Sequence, residues 1–353
     1  VRLEQVLSAG RLEGVDDALD VLGVLGGGDQ EGVGSIDDDD ARHPQEHHRA
    51  SGGGGDEGAL GVEGPDRCAG GLAVDVVEWT IDAPCGRTDL DMVVVPAYKP
   101  FSALRRLEGN KPALVQLPSI GYDGVEHVIP KGFLVANAAG VHETATAELA
   151  VGATIAALRK FPDAVRNQGR RLWQREDAPG LADSTVLIVG AGGVANAIAD
   201  RLAPFEVDVR RVGRSGRTDS RGTVRAASEL ADLLPAADVV ILAVPLTDAT
   251  RRMADDAFLS RMRDGAVLVN VARGAVADTV ALLRHADRLA LVLDVTDPEP
   301  LPEDHPLWEK AALITPHAGG ASAAFAPRIK ALVRRQAERL IAGDQPENVV
   351  LRP

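Results

Sequence analysis

Ser184-Thr-Val-Leu-Ile-Val-Gly-Ala-Gly-Gly-Val-Ala-Asn-Ala-Ile-Ala199 is the stretch whose reading decides the fold. Val186 to Val189 is a short apolar run, as expected of a strand buried on both faces. It leads directly into Gly190-Ala-Gly192-Gly193-Val194-Ala195, which opens a helix. This is a G-x-G-x-x-G/A pattern with a strand before it and a helix after it. Gly190 permits the tight turn, and Gly192 leaves room for a pyrophosphate to reach backbone N–H groups. The helix N-terminus behind them carries a partial positive charge that favours phosphate. Ala195 stands in the third position, so helix–strand packing must absorb one methyl group. A dinucleotide site is expected here in preference to a plain βα turn.

The second strand selects the dinucleotide. Pro204 and Phe205 end the helix, and Val207 to Val212 reads as the strand. A site for NAD would carry Asp or Glu at its end, to hold the ribose 2′-OH. The chain instead reads Gly213-Arg214-Ser215-Gly216-Arg217. Arg214 and Arg217 suit a 2′-phosphate through charge-assisted hydrogen bonds, and Ser215 adds another donor. NADP(H) is therefore expected over NAD(H). Two solvated loop arginines are the competing interpretation.

Composition sets the outer limits. The chain has 353 residues, enough for two domains, with 45% hydrophobic residues but only 3% aromatic ones. No run approaches the roughly 20 apolar residues of a membrane span. No basic region followed by an apolar core opens the chain, so no export signal is expected. Cys68 and Cys85 have neither metal-ligand spacing nor the look of a disulfide framework. These features point to a reduced, cytoplasmic setting and to no metal. The net charge of −14 argues against a nucleic-acid partner.

That charge is concentrated at one end. Residues 1–70 hold 16 acidic and 5 basic side chains and 16 of the 37 glycines, with no Lys, Phe, Trp or Tyr. Asp37-Asp-Asp-Asp40 and Gly52-Gly-Gly-Gly55 read as low complexity. Such a segment buries too little apolar surface to offset the entropy of ordering it. It is expected to be disordered, or to reflect a wrongly placed start of the reading frame. Leu12 to Leu25 offers at most a weak helix. His43, His47 and His48 fit a solvated tail better than a metal site.

From about residue 72 the pattern becomes βα alternation. Strands are expected at 74–79, 92–95, 113–117 and 132–136, with a helical piece at 102–107. A long Ala- and Leu-rich helix follows at 144–161, stopped by Pro162 and apolar almost all round, so it should be buried at a domain or subunit boundary. Further strands are expected at 239–244, 266–272, 289–295 and 313–316, with helices between them. In an open α/β sheet, ligands sit beyond the carboxyl ends of the strands. Val244 and Pro245 lie at one such end and Ala272 at another, and all three are taken as cofactor contacts.

Three polar side chains also follow strands. Arg273 comes after 266–272, Glu299 lies five residues past Asp294, and His317 follows the last strand. A guanidinium, a carboxylate and an imidazole in one crevice are what reduction of a 2-oxo acid requires. Arg holds the substrate carboxylate and polarises the neighbouring carbonyl. His supplies the proton as hydride reaches carbon. Glu orients that His and favours its charged form. Singly, each also fits a solvated loop residue.

From about Val74 onward the chain resembles the D-isomer-specific 2-hydroxyacid dehydrogenase family. The matching stretches are Ser119-Ile-Gly-Tyr-Asp-Gly-Val125, Asn137 to Glu148, the Gly190 motif, Asn270-Val-Ala-Arg-Gly274, Leu293 to Pro300 and Thr315-Pro-His-Ala-Gly-Gly320. The resemblance implies Arg273 as substrate anchor, His317 as acid/base and Glu299 as its partner. It implies that Asp294 contacts the nicotinamide carboxamide. Tyr98, in the Pro96–Lys99 loop, and Gly121 are then expected at the substrate carboxylate. It implies a homodimer built partly on the helix at 144–161.

The expected fold is α/β, a Rossmann dinucleotide-binding domain (141–321) inserted in a smaller flavodoxin-like substrate domain (72–140 and 322–353). Three departures from the family accompany it: Ala195, a shortened Arg273–Glu299 spacing, and no visible strand to fill the inner sheet position before 74–79. A gene start upstream, encoding that strand, is the expectation for the last. Glyoxylate or hydroxypyruvate is the favoured substrate. The rivals are 3-phosphoglycerate, a phosphonate or formate dehydrogenase on the same scaffold, and a non-catalytic cofactor-sensing protein. Formate dehydrogenases of this fold carry Gln where Glu299 stands, and intact Arg273, Glu299 and His317 disfavour a sensor.

Overall fold

The computed structural model describes residues 2–4, 72, 74–77, 79–97 and 99–353. Its strands fall into two sheets of six and eight strands. The first contains β1 (Arg2–Glu4), β2 (Asp75–Val77), β3 (Met92–Val94), β4 (Leu114–Gln116), β5 (Val135–Ala136) and β14 (Val349–Leu351), in the order β14-β5-β4-β3-β1-β2. The second contains β6 (Thr185–Val189), β7 (Asp208–Gly213), β8 (Arg217–Asp219), β9 (Gly222–Ala226), β10 (Val239–Leu242), β11 (Val267–Asn270), β12 (Ala290–Leu293) and β13 (Leu313–Ile314). Its order is β13-β12-β11-β10-β6-β7-β9-β8. In sequence the whole second sheet lies between β5 and β14.

The second sheet follows from its apolar runs. Every residue of β10 and β11 is buried, and Val186 to Val189 of β6 are too. Strands of this kind suit the middle of a parallel sheet covered on both faces. β6 pairs with β7 on one side and β10 on the other, both in parallel. The strand order therefore reverses beside β6, and the Gly190 loop leaves the sheet at that switch point.

Helix α1 (Glu143–Leu158) packs across this sheet. Ala147, Ala150, Val151 and Leu158 share one core with Val186, Ile188 and Val269, and with Ala195 and Ile198 of α3 (Gly193–Leu202). α1 ends earlier than the sequence suggests. Lys160 turns left-handed at φ +53°, and Phe161–Gly169 forms a separate helix, α2. Pro162 thus starts a helix as well as stopping one, since a first-turn proline gives up no hydrogen bond. On the other face lie α4 (Leu230–Leu233), α5 (Asp256–Arg261) and α6 (Thr279–His285). Asp278 caps α6 by accepting from Val280 N and Ala281 N. α7 (Leu307–Lys310) precedes β13.

The first sheet is covered by α8 (Phe325–Ala342), whose Ile329, Leu332, Val333 and Ala337 pack on Met92, Val94, Leu114 and Ala136. Buried Gln336 donates to Gln116 Oε1 at 2.9 Å and accepts from Glu347 N at 2.9 Å. This ties α8 to β4 and to the approach to β14. β14 runs antiparallel to β5.

The inner-strand expectation is corrected here. Arg2–Glu4 occupies the position thought vacant, parallel to both neighbours, with Leu3 opposite Val76 and Met92. Arg2-Leu3-Glu4 sets one apolar residue between two charged ones, so it has no apolar run of the kind that marks β3 and β4. The rest of the 1–70 segment, including the weak helix at 12–25 and His43, His47 and His48, lies outside the described residues. A second difference is the β8–β9 hairpin, in sequence read as loop. Its polar residues carry little apolar pattern. It is held by Arg211, which is buried and paired with Asp219 at 2.6 and 2.9 Å. Hydrogen bonds from Arg211, and then from Arg221 N, lower the Asp219 carboxyl to about 2.

Candidate active site

Loops leaving the carboxyl ends of strands build the site. The first follows β6. Gly190 donates to Val212 O at 2.8 Å, with φ +137°. A Cβ there would fall 2.3 Å from Ala243 O, so both backbone angle and space demand glycine. Gly192 is open, with nothing within 4 Å of where a Cβ would stand, and it precedes the first turn of α3. That is room for a phosphate at a helix N-terminus. Gly193 is exposed and Val194 half-buried. Ala195 is fully buried, so the core absorbs its methyl. Glu143, not singled out in the sequence, lies against Gly193 and accepts from Gly140 N at 2.7 Å.

After β7, Arg214 and Ser215 are exposed. Arg217 leans back over the glycine loop, donating from Nη2 to Ala191 O at 2.9 Å. Its guanidinium is thereby set beside the loop a dinucleotide would cross. After β10, Val244 is half-buried against the core and Pro245 exposed. The glycine cradle and the open Gly192 fit a dinucleotide.

The loop after β11 presents Arg273. Buried Asn270 shapes it, donating from Nδ2 to Arg273 O at 3.0 Å and accepting from Ala272 N at 3.1 Å. Ala272 is buried, and its carbonyl accepts from Arg273 Nη1 at 2.7 Å. A Cβ at Gly274 would fall 1.8 Å from Thr296 O, so glycine lets this loop press against the next.

That next loop, after β12, carries Asp294 and Glu299. Asp294 is buried, and both carboxylate oxygens are engaged. Oδ1 accepts from Thr315 Oγ1 at 2.6 Å and Ala318 N at 2.8 Å, and Oδ2 accepts from Gly319 N at 3.0 Å. Its own carbonyl accepts from His317 N at 2.8 Å. The loop after β13 is thus tied to the end of β12. Within it His317 adopts φ +51°, an uncommon angle for a residue with a Cβ, held by these bonds.

His317 Nδ1 lies 2.5 Å from Glu299 Oε1. Hydrogen bonding to Glu299 raises the imidazole above its usual range, against burial, with the Glu299 charge assisting. The same bond lowers the Glu299 carboxyl, again against burial. Each group thus favours the charged form of the other. Arg273 lowers both values through its charge, so the guanidinium is near both groups. The geometry brings Arg273, Glu299 and His317 to one crevice, with Nε2 of the imidazole left for a reacting group.

The facing wall comes from the first sheet. A Cβ on Gly121 would fall 1.4 Å from Nη2 of Arg273, so the guanidinium lies on its backbone. Asp123 accepts from Arg273 Nε at 3.0 Å. Asp123, Asn270 and Glu143 were not picked out in the sequence. The signal available for Asp123 was a carboxylate between Gly121 and Gly124 in a family-like stretch. Tyr98 lies outside the described residues.

Comparison with known proteins bears on this geometry. The family profile described as "D-isomer specific 2-hydroxyacid dehydrogenase, NAD binding domain" matches residues 151–319. A glyoxylate reductase/hydroxypyruvate reductase of Mus musculus is 32% identical over 286 residues, covering 75% of this chain and 87% of that protein. Among solved structures, a D-isomer specific 2-hydroxyacid dehydrogenase family protein from Aeromonas salmonicida subsp. salmonicida A449 superposes with a TM-score of 0.70 at 25% identity, over 79% of this chain and 91% of that one. The NADPH-dependent glyoxylate/hydroxypyruvate reductase of Sinorhizobium meliloti, in complex with NADP and sulfate, has a TM-score of 0.69 at 23% identity, over 78% and 90%. At that identity the likeness is one of fold.

Glu299→Gln keeps the shape of the partner and removes its charge. The expected result is a fall of the His317 pKa toward the ordinary imidazole range, followed by NMR titration of the ring protons. An unchanged value would remove Glu299 as the cause of the raised pKa.

Proposed function

This chain belongs to the D-isomer specific 2-hydroxyacid dehydrogenase family, an NAD(P)-dependent dehydrogenase by that membership, and we propose that it reduces a small 2-oxo acid to the D-2-hydroxy acid with NADPH. The observation that carries this proposal is the His317–Glu299 pair, 2.5 Å apart, with the Arg273 guanidinium close enough for its charge to act on both.

When bound, the nicotinamide supplies hydride to the carbonyl carbon. Arg273 takes the substrate carboxylate on its terminal N–H groups and draws electron density from the adjacent carbonyl. His317, protonated beside Glu299, donates a proton from Nε2 to the carbonyl oxygen as it gains charge. Carbon is reduced, the carbonyl oxygen becomes a hydroxyl, and the imidazole is left neutral. The reverse reaction starts from that neutral form. Glu299 stabilises the imidazolium and fixes the ring. Asp294 and the loops after β10, β11 and β13 are the parts of the chain that would hold the nicotinamide end.

Glyoxylate or hydroxypyruvate is the proposed substrate, supported by the mouse relative's name. The proposed partition assigns 141–321 to the cofactor and 72–140 with 322–353 to the substrate. A cytoplasmic homodimer belongs to the same proposal. Phe161 and Val165 of α2 and fully exposed Trp173 beyond it are supporting observations, since apolar groups so placed suit a second copy. Sedimentation at micromolar concentration should give twice the 37.0 kDa chain mass; a single-chain species would remove the dimer.

NADPH oxidation followed at its absorbance band, across glyoxylate, hydroxypyruvate, pyruvate and phenylpyruvate, should show turnover with the small acids first. His317→Ala should cut kcat by about a hundredfold to ten-thousandfold with NADPH binding intact, the usual weight of a general acid. Turnover retained by that variant would take the proton-transfer role from His317. For the cofactor, Arg214→Ala and Arg217→Ala should each raise KM for NADPH by about tenfold, the loss of one charge-assisted contact, and leave NADH unaffected. Equal effects on both cofactors would place these arginines away from the 2′-phosphate.

A further inference from the structure

We propose that Asp123 is a positioning residue for Arg273, fixing the guanidinium from the opposite wall of the crevice so that its terminal edge meets the substrate. The inference rests on the assignment of Arg273 as the carboxylate anchor.

Arginine offers five N–H groups in a rigid fork. Nε has one, and Asp123 Oδ2 takes it at 3.0 Å. Nη1 gives one to Ala272 O at 2.7 Å. The others lie on the two terminal nitrogens, the edge a carboxylate meets in bidentate fashion. Asp123 therefore does not occupy the substrate's place. It takes the Nε donor, which a ligand on the terminal edge does not use.

The loop that carries Asp123 is itself built rigidly. Ser119 Oγ donates to Gly121 O at 2.7 Å, and Asn137 Nδ2 donates to Ile120 O at 2.7 Å. Asn137 is buried at the end of β5. Gly121 brings the backbone against Nη2, so the guanidinium is packed on one side as well as hydrogen-bonded at Nε. A flexible side chain is thereby set in one orientation before a ligand arrives.

The two partners are 150 residues apart and belong to different sheets, Asp123 to the wall after β4 and Arg273 to the loop after β11. The bond spans the crevice and ties the anchor to the opposite wall. Both side chains are about a third exposed, 30% for Arg273 and 33% for Asp123, so the pair's worth lies in geometry more than in net stability.

The test compares wild type with Asp123→Ala and Asp123→Asn in the full chain. Asp123→Ala should raise KM for glyoxylate by about tenfold or more and lower kcat as well, since carbonyl polarisation also depends on the fork's aim. The Kd for NADPH, read by fluorescence, should not move. Asp123→Asn keeps an acceptor oxygen and should recover part of the loss. Binding of oxamate, an unreactive 2-oxo acid isostere, to the NADPH complex supplies the decisive comparison. Asp123→Ala should weaken it in wild type and add nothing once Arg273→Ala is present. A further loss in that background, or an unchanged KM, overturns the proposal. Should wild type neither turn over a 2-oxo acid nor bind oxamate, the assigned reaction fails, and the pair is then read by phenylglyoxal labelling of Arg273 with mass spectrometry. Faster labelling in Asp123→Ala supports the positioning role, and an unchanged rate refutes it.

Discussion

One buried carboxylate governs where the imidazole stands. Asp294 takes hydrogen bonds from Thr315, Ala318 and Gly319, and its carbonyl takes one from His317. A charge enclosed by protein is tolerated only when such bonds replace its water. The loop after β13 supplies them, and in supplying them it is bent so that His317 sits at a left-handed angle facing Glu299. The strain of that angle is offset by charge-assisted bonds worth roughly 1.5–3 kcal/mol each. Everything reactive in the crevice is referred to this tie: Glu299 lies on the same loop as Asp294, and Gly274 presses the Arg273 turn against it.

Much of this was legible in the sequence. β6, β10 and β11 are unbroken apolar runs, and burial on both faces is what such runs mean. Arg273, Glu299 and His317 stood out because each polar group closely follows a strand, where α/β sheets place ligands. The hidden parts share a physical reason. β1 has a single apolar residue between two charged ones, and the β8–β9 hairpin depends on Arg211 finding Asp219, so neither has an apolar run of its own. α2 begins around the very proline taken as a terminator. Asp123 and Asn270 matter through their partners, and for Asp123 that partner is 150 residues away. Local periodicity carries no record of such a distance.

The arginines around β7 show how environment sorts one residue type. Arg211 is enclosed, with acceptors from Asn196, Asp219 and Gly222 around its fork, and serves the sheet edge. Arg217 spends one donor on Ala191 O and keeps the rest beside the glycine loop. Arg214 is exposed in the turn between them. One short basic stretch thus holds a structural guanidinium and two candidates for ligand contact. Sequence alone separates them only by alternation: along a strand, Arg210 and Arg211 must point to opposite faces.

The strand order of the first sheet has a consequence for how the chain is made. β5 pairs with β4 and with β14, whose residues 349–351 follow it by more than two hundred positions. β1, at residues 2–4, waits for β2 and β3 before it has neighbours. The second sheet is continuous between 185 and 314 and closes on itself with shorter loops. During synthesis it can assemble while the first sheet still lacks an edge and its covering helix α8. Chain closure over such separations is slow. The sheet whose wall grips Arg273 is therefore the one whose strands must be gathered from the greatest distances along the chain.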